Sequence, residues 1–373
     1  MRLLSSLILI LVIAGMALAS QILDPTDIGV GARPLGLGKA FTAIADDGSA
    51  IFTNPAGLAL SNKLKMVSMG GNLMGEVPYT MMGGSYPVMN GTLGVGYVGL
   101  GVSGIKETKL VGITPEVTGQ EGSFANTALC LAYAGDLEKI PYLSRVNTGI
   151  FKETKLGCAL KLISHGYSGA TTFEGGKATG FDLDVGAISK LDEETQVGMS
   201  IKNIIPGNNF KSDELPMVIT AGLSKRFSKY NLLTALDAEI SRTLLLHLGC
   251  EWNPIQIFKL RFGLDQKPSA GGTLTNLAAG VGLGFKGFTF DYAYHTYAEL
   301  SEFTTHFLSI GYMGEALDQA RAKEKDKVAP PSPPAPVIET PAIAPQIKVA
   351  PITIKALPKP KPQPKLKPKK KGK

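Results

Sequence analysis

The chain has 373 residues, with 38 Lys and Arg against 31 Asp and Glu, and a formal net charge of +7. That surplus is local: residues 328–373 hold ten Lys and one acid, Glu339, so the other 28 basic and 30 acidic residues sum to −2. A body without a basic face excludes nucleic-acid binding. Its 44 glycines and 44% hydrophobic residues, with no Gly-X-Y period, exclude both a disordered chain and a collagen.

Residues 1–19 read MRLLSSLILILVIAGMALA, with one cation (Arg2), an apolar run from Leu7 to Ala14, and small residues at Ala17 and Ala19. This is the pattern of a secretory signal peptide, with cleavage expected after Ala19. The run is short for an anchor helix, which needs about 20 apolar residues. Cys130, Cys158 and Cys250 are odd in number and scattered, and read as small hydrophobes rather than a disulfide framework.

Residues 29–60 read GVGARPLGLGKAFTAIADDGSAIFTNPAGLAL. Pro34 can open a helix whose apolar positions Leu37, Ala40, Phe41 and Ile44 follow helical spacing, with Asp46, Asp47 and Gly48 ending it. Asn54 and Pro55 then read as N-cap and first position of a short second helix, followed by Ala56 and Gly57.

Beyond this segment, period-two alternation dominates. Phe181, Leu183 and Val185 alternate with Asp182, Asp184 and Gly186; Leu244, Leu246, Leu248 and Trp252 alternate with Leu245, His247, Gly249 and Glu251. Val281, Leu283 and Phe285 alternate with three glycines. Such segments are strands with one apolar face. A soluble sandwich would carry Thr, Lys, Glu and Ser on its wet face, whereas this second face is rich in Gly and Ala with isolated charges. A transmembrane barrel with a crowded lumen accounts for that composition, and the segments have about the 9–11 residues a crossing strand needs.

Strands are expected near 64–74, 78–88, 91–101, 125–134, 154–166, 179–189, 195–203, 216–226, 230–240, 244–252, 256–264, 276–286, 287–296 and 305–313. Fourteen is an even number, as single-chain outer-membrane barrels have. With both chain termini in the periplasm, connections after odd strands should be long. Those at 102–124, 167–178, 204–215, 265–275 and 297–304 are; 135–153 and 241–243 break the rule. The expected fold is therefore an all-β, antiparallel transmembrane barrel (63–313). A small helical hatch (20–62) fills its lumen, and a polar spacer (314–327) leads to a disordered Pro/Lys-rich tail (328–373).

The motif from Gly31 to Leu58 resembles the N-terminal signature of the PorV/PorQ family, which is related to the FadL-type hydrophobic-compound transporters of Gram-negative outer membranes. The resemblance implies a fourteen-stranded barrel plugged by the hatch, in contact with outer-membrane lipid. FadL-type members pass apolar molecules and release them sideways through the wall; PorV-type members serve protein secretion or surface attachment. The matching residues are Asp46, Asp47, Asn54, Pro55, Ala56 and Gly57, whose expected work is to hold the hatch. No ligand residue carries over to the strands.

The inward charges Asp182, Asp184, Asp237, Glu239, Glu251, Lys259, Arg261 and Asp291 could line a path, but mutual pairing that stiffens the barrel is the favoured reading. Nothing points to catalysis, a cofactor or a metal. Gly94–Gly99 and Gly282–Gly287 match the dinucleotide pattern inside strands, without the following helix that cradles phosphate. His165, His247, His295 and His306 lack metal-type spacing. The tail, with thirteen prolines among its 46 residues, should be extended, reaching roughly 140 Å at about 3.1 Å per residue. Its lysines suit peptidoglycan, anionic headgroups or an acidic periplasmic partner.

Overall fold

The computed structural model describes residues 24–316 except 74, 89, 140–148, 170–176, 207–214, 270–271, 297 and 299–303. The expected signal peptide, most of the expected spacer and the expected tail lie outside the described residues.

Fourteen antiparallel strands close into a barrel, β1 pairing with both β2 and β14. In chain order they are β1 Lys63–Leu73, β2 Val77–Val88, β3 Gly91–Val111, β4 Thr114–Asp136, β5 Lys152–Ser168, β6 Lys177–Lys190 and β7 Thr195–Lys202. The second half is β8 Val218–Phe227, β9 Leu232–Ile240, β10 Leu244–Ile255, β11 Phe258–Ser269, β12 Gly272–Phe285, β13 Phe288–Thr296 and β14 Thr304–Ala316. The end where β1 begins and β14 stops is called the near end; the opposite rim is the far end.

The alternation sorts residues as a lipid-facing barrel requires. Met82, Leu93, Val95, Leu131, Phe181, Leu248, Trp252, Phe262, Leu283, Phe290 and Leu308 all stand exposed on the outer surface. A soluble monomer does not leave so large an apolar belt in water. Among the described residues no helix is long and apolar enough to cross a membrane.

Two expected far loops are strands instead. β3 and β4 run on as a hairpin of 21 and 23 residues, joined at Gly112 and Ile113. Gly112, at φ +66°, takes the turn position that demands positive φ. The ladder to β2 ends at Leu100 and the ladder to β5 at Ser123, so residues 101–122 project as a two-stranded ribbon beyond their neighbours. β11 and β12 likewise continue to Ser269 and from Gly272. Both extensions lack the sustained apolar alternation that marks strands in the membrane belt, yet their pairing persists. The long 137–151 connection and the short 241–243 turn stay as the sequence indicates. β7, β8 and β9 have only 8, 10 and 9 residues, which leaves the far rim low on that side.

The hatch lies in the lumen. Its helices are α1 Ala32–Gly36 and α2 Ala50–Thr53, with 3-10 turns at Pro25–Ile28 and Pro55–Leu60. The helix expected from Pro34 to Ile44 stops at Gly36, because Gly38 and Lys39 adopt left-handed backbone at φ +58° and +64°. Leu35, Leu37, Phe41, Ile51, Phe52 and Leu58 are all buried in one core cluster with strand residues such as Tyr79, Met81, Val98 and Phe307. Wall surrounds this segment on every side, so packing rather than one amphipathic stripe dictates its backbone.

Candidate functional site: the hatch and its lumenal contacts

Strand glycines make room for the hatch. A Cβ at Gly157 on β5 would overlap the backbone of Pro55 and Ala56, one at Gly186 on β6 would overlap the Asn54 side chain, and one at Gly263 on β11 would overlap Leu37 and Gly38. Gly198 and Gly249 meet Thr42 and Leu37 in the same way. The small-residue face read from the sequence is thus a seat for the plug.

The motif residues occupy its joints. Asn54, fully buried, caps the second 3-10 turn, its Oδ1 accepting from the Ala56 amide at 3.2 Å. Its Nδ2 donates to the carbonyls of Thr42 (2.9 Å), Ala187 on β6 (3.1 Å) and Met199 on β7 (3.3 Å), stitching the hatch to the wall. Pro55 and Ala56 pack on Gly157; Gly57 has no room for a Cβ beside Ala45, and its carbonyl accepts from Lys65 Nζ at 3.1 Å. Asp46 pairs with Arg33, while Asp47 accepts from the Ser49 amide and hydroxyl at 2.8 and 2.5 Å.

The eight inward charges separate into different arrangements. Glu251, Arg261 and Asp291 pair with one another, Arg261 Nε to Glu251 at 2.7 Å and Nη1 to Asp291 at 2.6 Å. Glu251 also accepts from Arg33 Nε at 2.9 Å, which ties this group to the hatch. Asp184 pairs with Lys161 at 3.1 Å. Asp182 accepts from the amides of Leu183 and Ile205, and Asp237 from those of Phe41 and Thr42. Glu239 stands 3.9 Å from His247. Lys259 lines a cavity beside Glu251 and Arg261 with no ion pair to a described residue. Mutual pairing inside the barrel wall therefore covers three of the eight; Asp184 pairs with a wall lysine outside the set, and Asp237 is engaged by the hatch.

Arg33, Lys161, Asp24 and the Asp265 cluster are further functional groups not singled out in the sequence. Lys161 Nζ reaches Asp24 at the start of the hatch (3.0 Å), Asp184, and the Asn203 side chain where β7 gives way to its loop (2.5 Å). Asp265 faces His247 at 3.0 Å, His295 at 3.1 Å and hatch residue Lys39 at 3.8 Å. Arg33 sat within the quoted motif as one of its two cations, with Lys39. Lys161 shows its role only through register, which places it opposite Asp182 and beside Asp184.

Charge balance in the hatch follows from these contacts. Burial works to raise the Asp24 carboxyl, but Lys161, the two Thr26 hydrogen bonds and Lys202 together hold the group below the usual range. Asp27 has only Lys202, at 3.9 Å, and burial together with Asp24 pushes it up to about 6. Burial and Arg33 act oppositely on Asp46, and Arg33 prevails.

Cavities flank the plug. The far one, about 400 Å³, is bounded by Asp27, Val30, Pro34, Val218, Glu239 and Leu245, among others. Two near-end cavities of about 260 and 300 Å³ are lined by Arg33, Lys65 and Lys259 and by Ile44, Leu60 and Arg226. The far cavity falls in the range of small-molecule sites.

No protein-family model matches this sequence, and no curated relative matches it either. Solved structures do. The CymD monoaromatic hydrocarbon channel aligns with a TM-score of 0.53 at 14% identity, over 77% of this chain and 98% of that one. The toluene transporters TbuX of Ralstonia pickettii and TodX of P. putida align with the same TM-score and coverage, at 13% and 12% identity. At such identities the likeness is one of fold. It accords with the FadL-type side of the resemblance; the PorV/PorQ assignment has no family match behind it.

Proposed function

We propose that the chain is an outer-membrane channel of PorV/PorQ type, within the FadL-like superfamily, that passes hydrophobic small molecules past a lumenal hatch. The observation that carries this reading is a ligand-sized cavity, walled partly by Ile28, Val30, Pro34, Val218 and Leu245, directly above a plug held by discrete hydrogen bonds and ion pairs. The printed roles of its structural neighbours, hydrocarbon channel and toluene transporter, support the same class of cargo. No catalytic step is part of this function. The test is extraction of the protein in mild detergent followed by mass spectrometry of whatever co-purifies. An apolar small molecule in stoichiometric amount is expected; a protein that needs no detergent would contradict the reading.

A second reading, a PorV-like scaffold for secreted or surface-attached proteins, draws on the β3–β4 ribbon. Its tip exposes Leu110, Val111, Ile113 and Val117. Protein partners crosslinked through the ribbon, without lipid or ligand, would favour it. The tail at 328–373 is read as a periplasmic tether to peptidoglycan or an acidic partner, and sedimentation with peptidoglycan should be lost on truncation after residue 327.

A further inference from the structure

We infer that the far cavity selects apolar molecules that carry a protonated amine, with Glu239 as the anchoring anion. This rests on the passage reading and narrows its cargo. The positive groups at the cavity are engaged: Lys39 donates to the Asp27 carbonyl at 2.7 Å and lies 3.8 Å from Asp265, and Lys202 lies 3.9 Å from Asp27. Lys267, two residues beyond Asp265, lines the same wall and is also in an interaction. Asp24 is neutralised by Lys161. The two carboxylates of β9 differ from these. Neither Asp237 nor Glu239 has a lysine or arginine ion pair among the described residues. Asp237 is 1% exposed; its Oδ2 takes the Phe41 and Thr42 amides, and its Oδ1 has no hydrogen-bond partner.

Glu239 meets only the His247 imidazole, and His247 is itself 3% exposed with an Nε2 that makes no hydrogen bond. Asp27, 41% exposed, lines the same cavity but has Lys202 3.9 Å away, so the uncompensated charge is that of the two β9 carboxylates; Glu239 contributes to the upward shift of Asp27, which registers how close these carboxylates stand. An incoming carboxylate would meet this surplus as repulsion, while an ammonium group would relieve it. The apolar wall then receives the rest of the molecule. A bare metal ion does not fit, since no group of three metal-type side chains assembles among the described residues.

The test uses the full chain in an uncharged mild detergent and equilibrium dialysis against a protein-free blank. The probes are 4-phenylbutylamine, 4-phenylbutanoate and 4-phenylbutanol at neutral pH. The amine should bind at least about tenfold more tightly than the carboxylate, and Glu239→Gln should remove about tenfold of amine affinity while leaving the alcohol unchanged. Glu239→Asp, which keeps the charge, should retain part of the preference and shows that loss in the Gln variant is not misfolding. A carboxylate bound as tightly as the amine, or an amine indifferent to Glu239→Gln, overturns the inference while the bound alcohol keeps the passage reading. If none of the three probes binds, both fall.

Discussion

Arg33 is the side chain on which the near side of the hatch depends. Its guanidinium serves Asp46 and Glu251 together, and Glu251 in turn holds Arg261. Arg33→Met would leave two acids in the lumen with one cation fewer, a change that typically costs about 3–5 kcal/mol when a buried pair is broken. Amide hydrogen exchange over residues 31–48 should accelerate by at least about a hundredfold; unchanged protection would show that the hatch is held elsewhere. Asp27 supplies a pH dependence. It titrates at about 6 in the lumen against about 3.9 in an unfolded chain, so the docked hatch binds more protons between those values. Docking should therefore weaken as pH rises from about 4 to about 6 and level off above. Protease sensitivity of the hatch across that window reads this out, and Asp27→Asn should flatten the slope. Single residues were only partly legible: Asn54 announced itself as a cap beside a proline, but nothing local reveals that Lys161 joins hatch, wall and loop, because that depends on strand register.

At the scale of elements, the fit between hatch and wall predicts a contrast among glycines. Gly186→Leu would drive a side chain into Asn54, whereas Gly70 has nothing within 4 Å of a Cβ. Both variants should form the barrel, scored by heat-modifiable migration in gels. Only Gly186→Leu should expose a cysteine placed at residue 56 to a membrane-impermeant thiol reagent. Equal labelling of the two would refute the seat. Removal of residues 104–120 of the ribbon should leave the barrel folded, since its ladders to β2 and β5 end below that point. The strands were readable because one face had to meet lipid, which forces large apolar residues at every second position. The ribbon and the β11–β12 extension escape that constraint, so their sequence resembles loop. The hatch misled for the opposite reason: enclosed on all sides, its apolar residues at 37, 40, 41 and 44 match helical spacing without a helix, since left-handed backbone at Gly38 and Lys39 ends the turn.

For the whole molecule, count and alternation together specified a closed fourteen-stranded barrel with its plug inside, and the apolar outer belt places it in a membrane. What neither count nor alternation specifies is cargo; the proposed selection rests on a few groups on the cavity wall brought together from β8 to β11 and the hatch. The surplus of positive charge belongs to residues 328–373. The central claim is passage of apolar molecules, and the most direct measurement is initial uptake of a radiolabelled hydrocarbon by Gram-negative cells that lack such channels of their own. Cells carrying this chain should take it up several-fold faster than vector controls, with no gain for a polar solute of equal size. Uptake equal to the control, or an equal gain for the polar solute, would contradict the account.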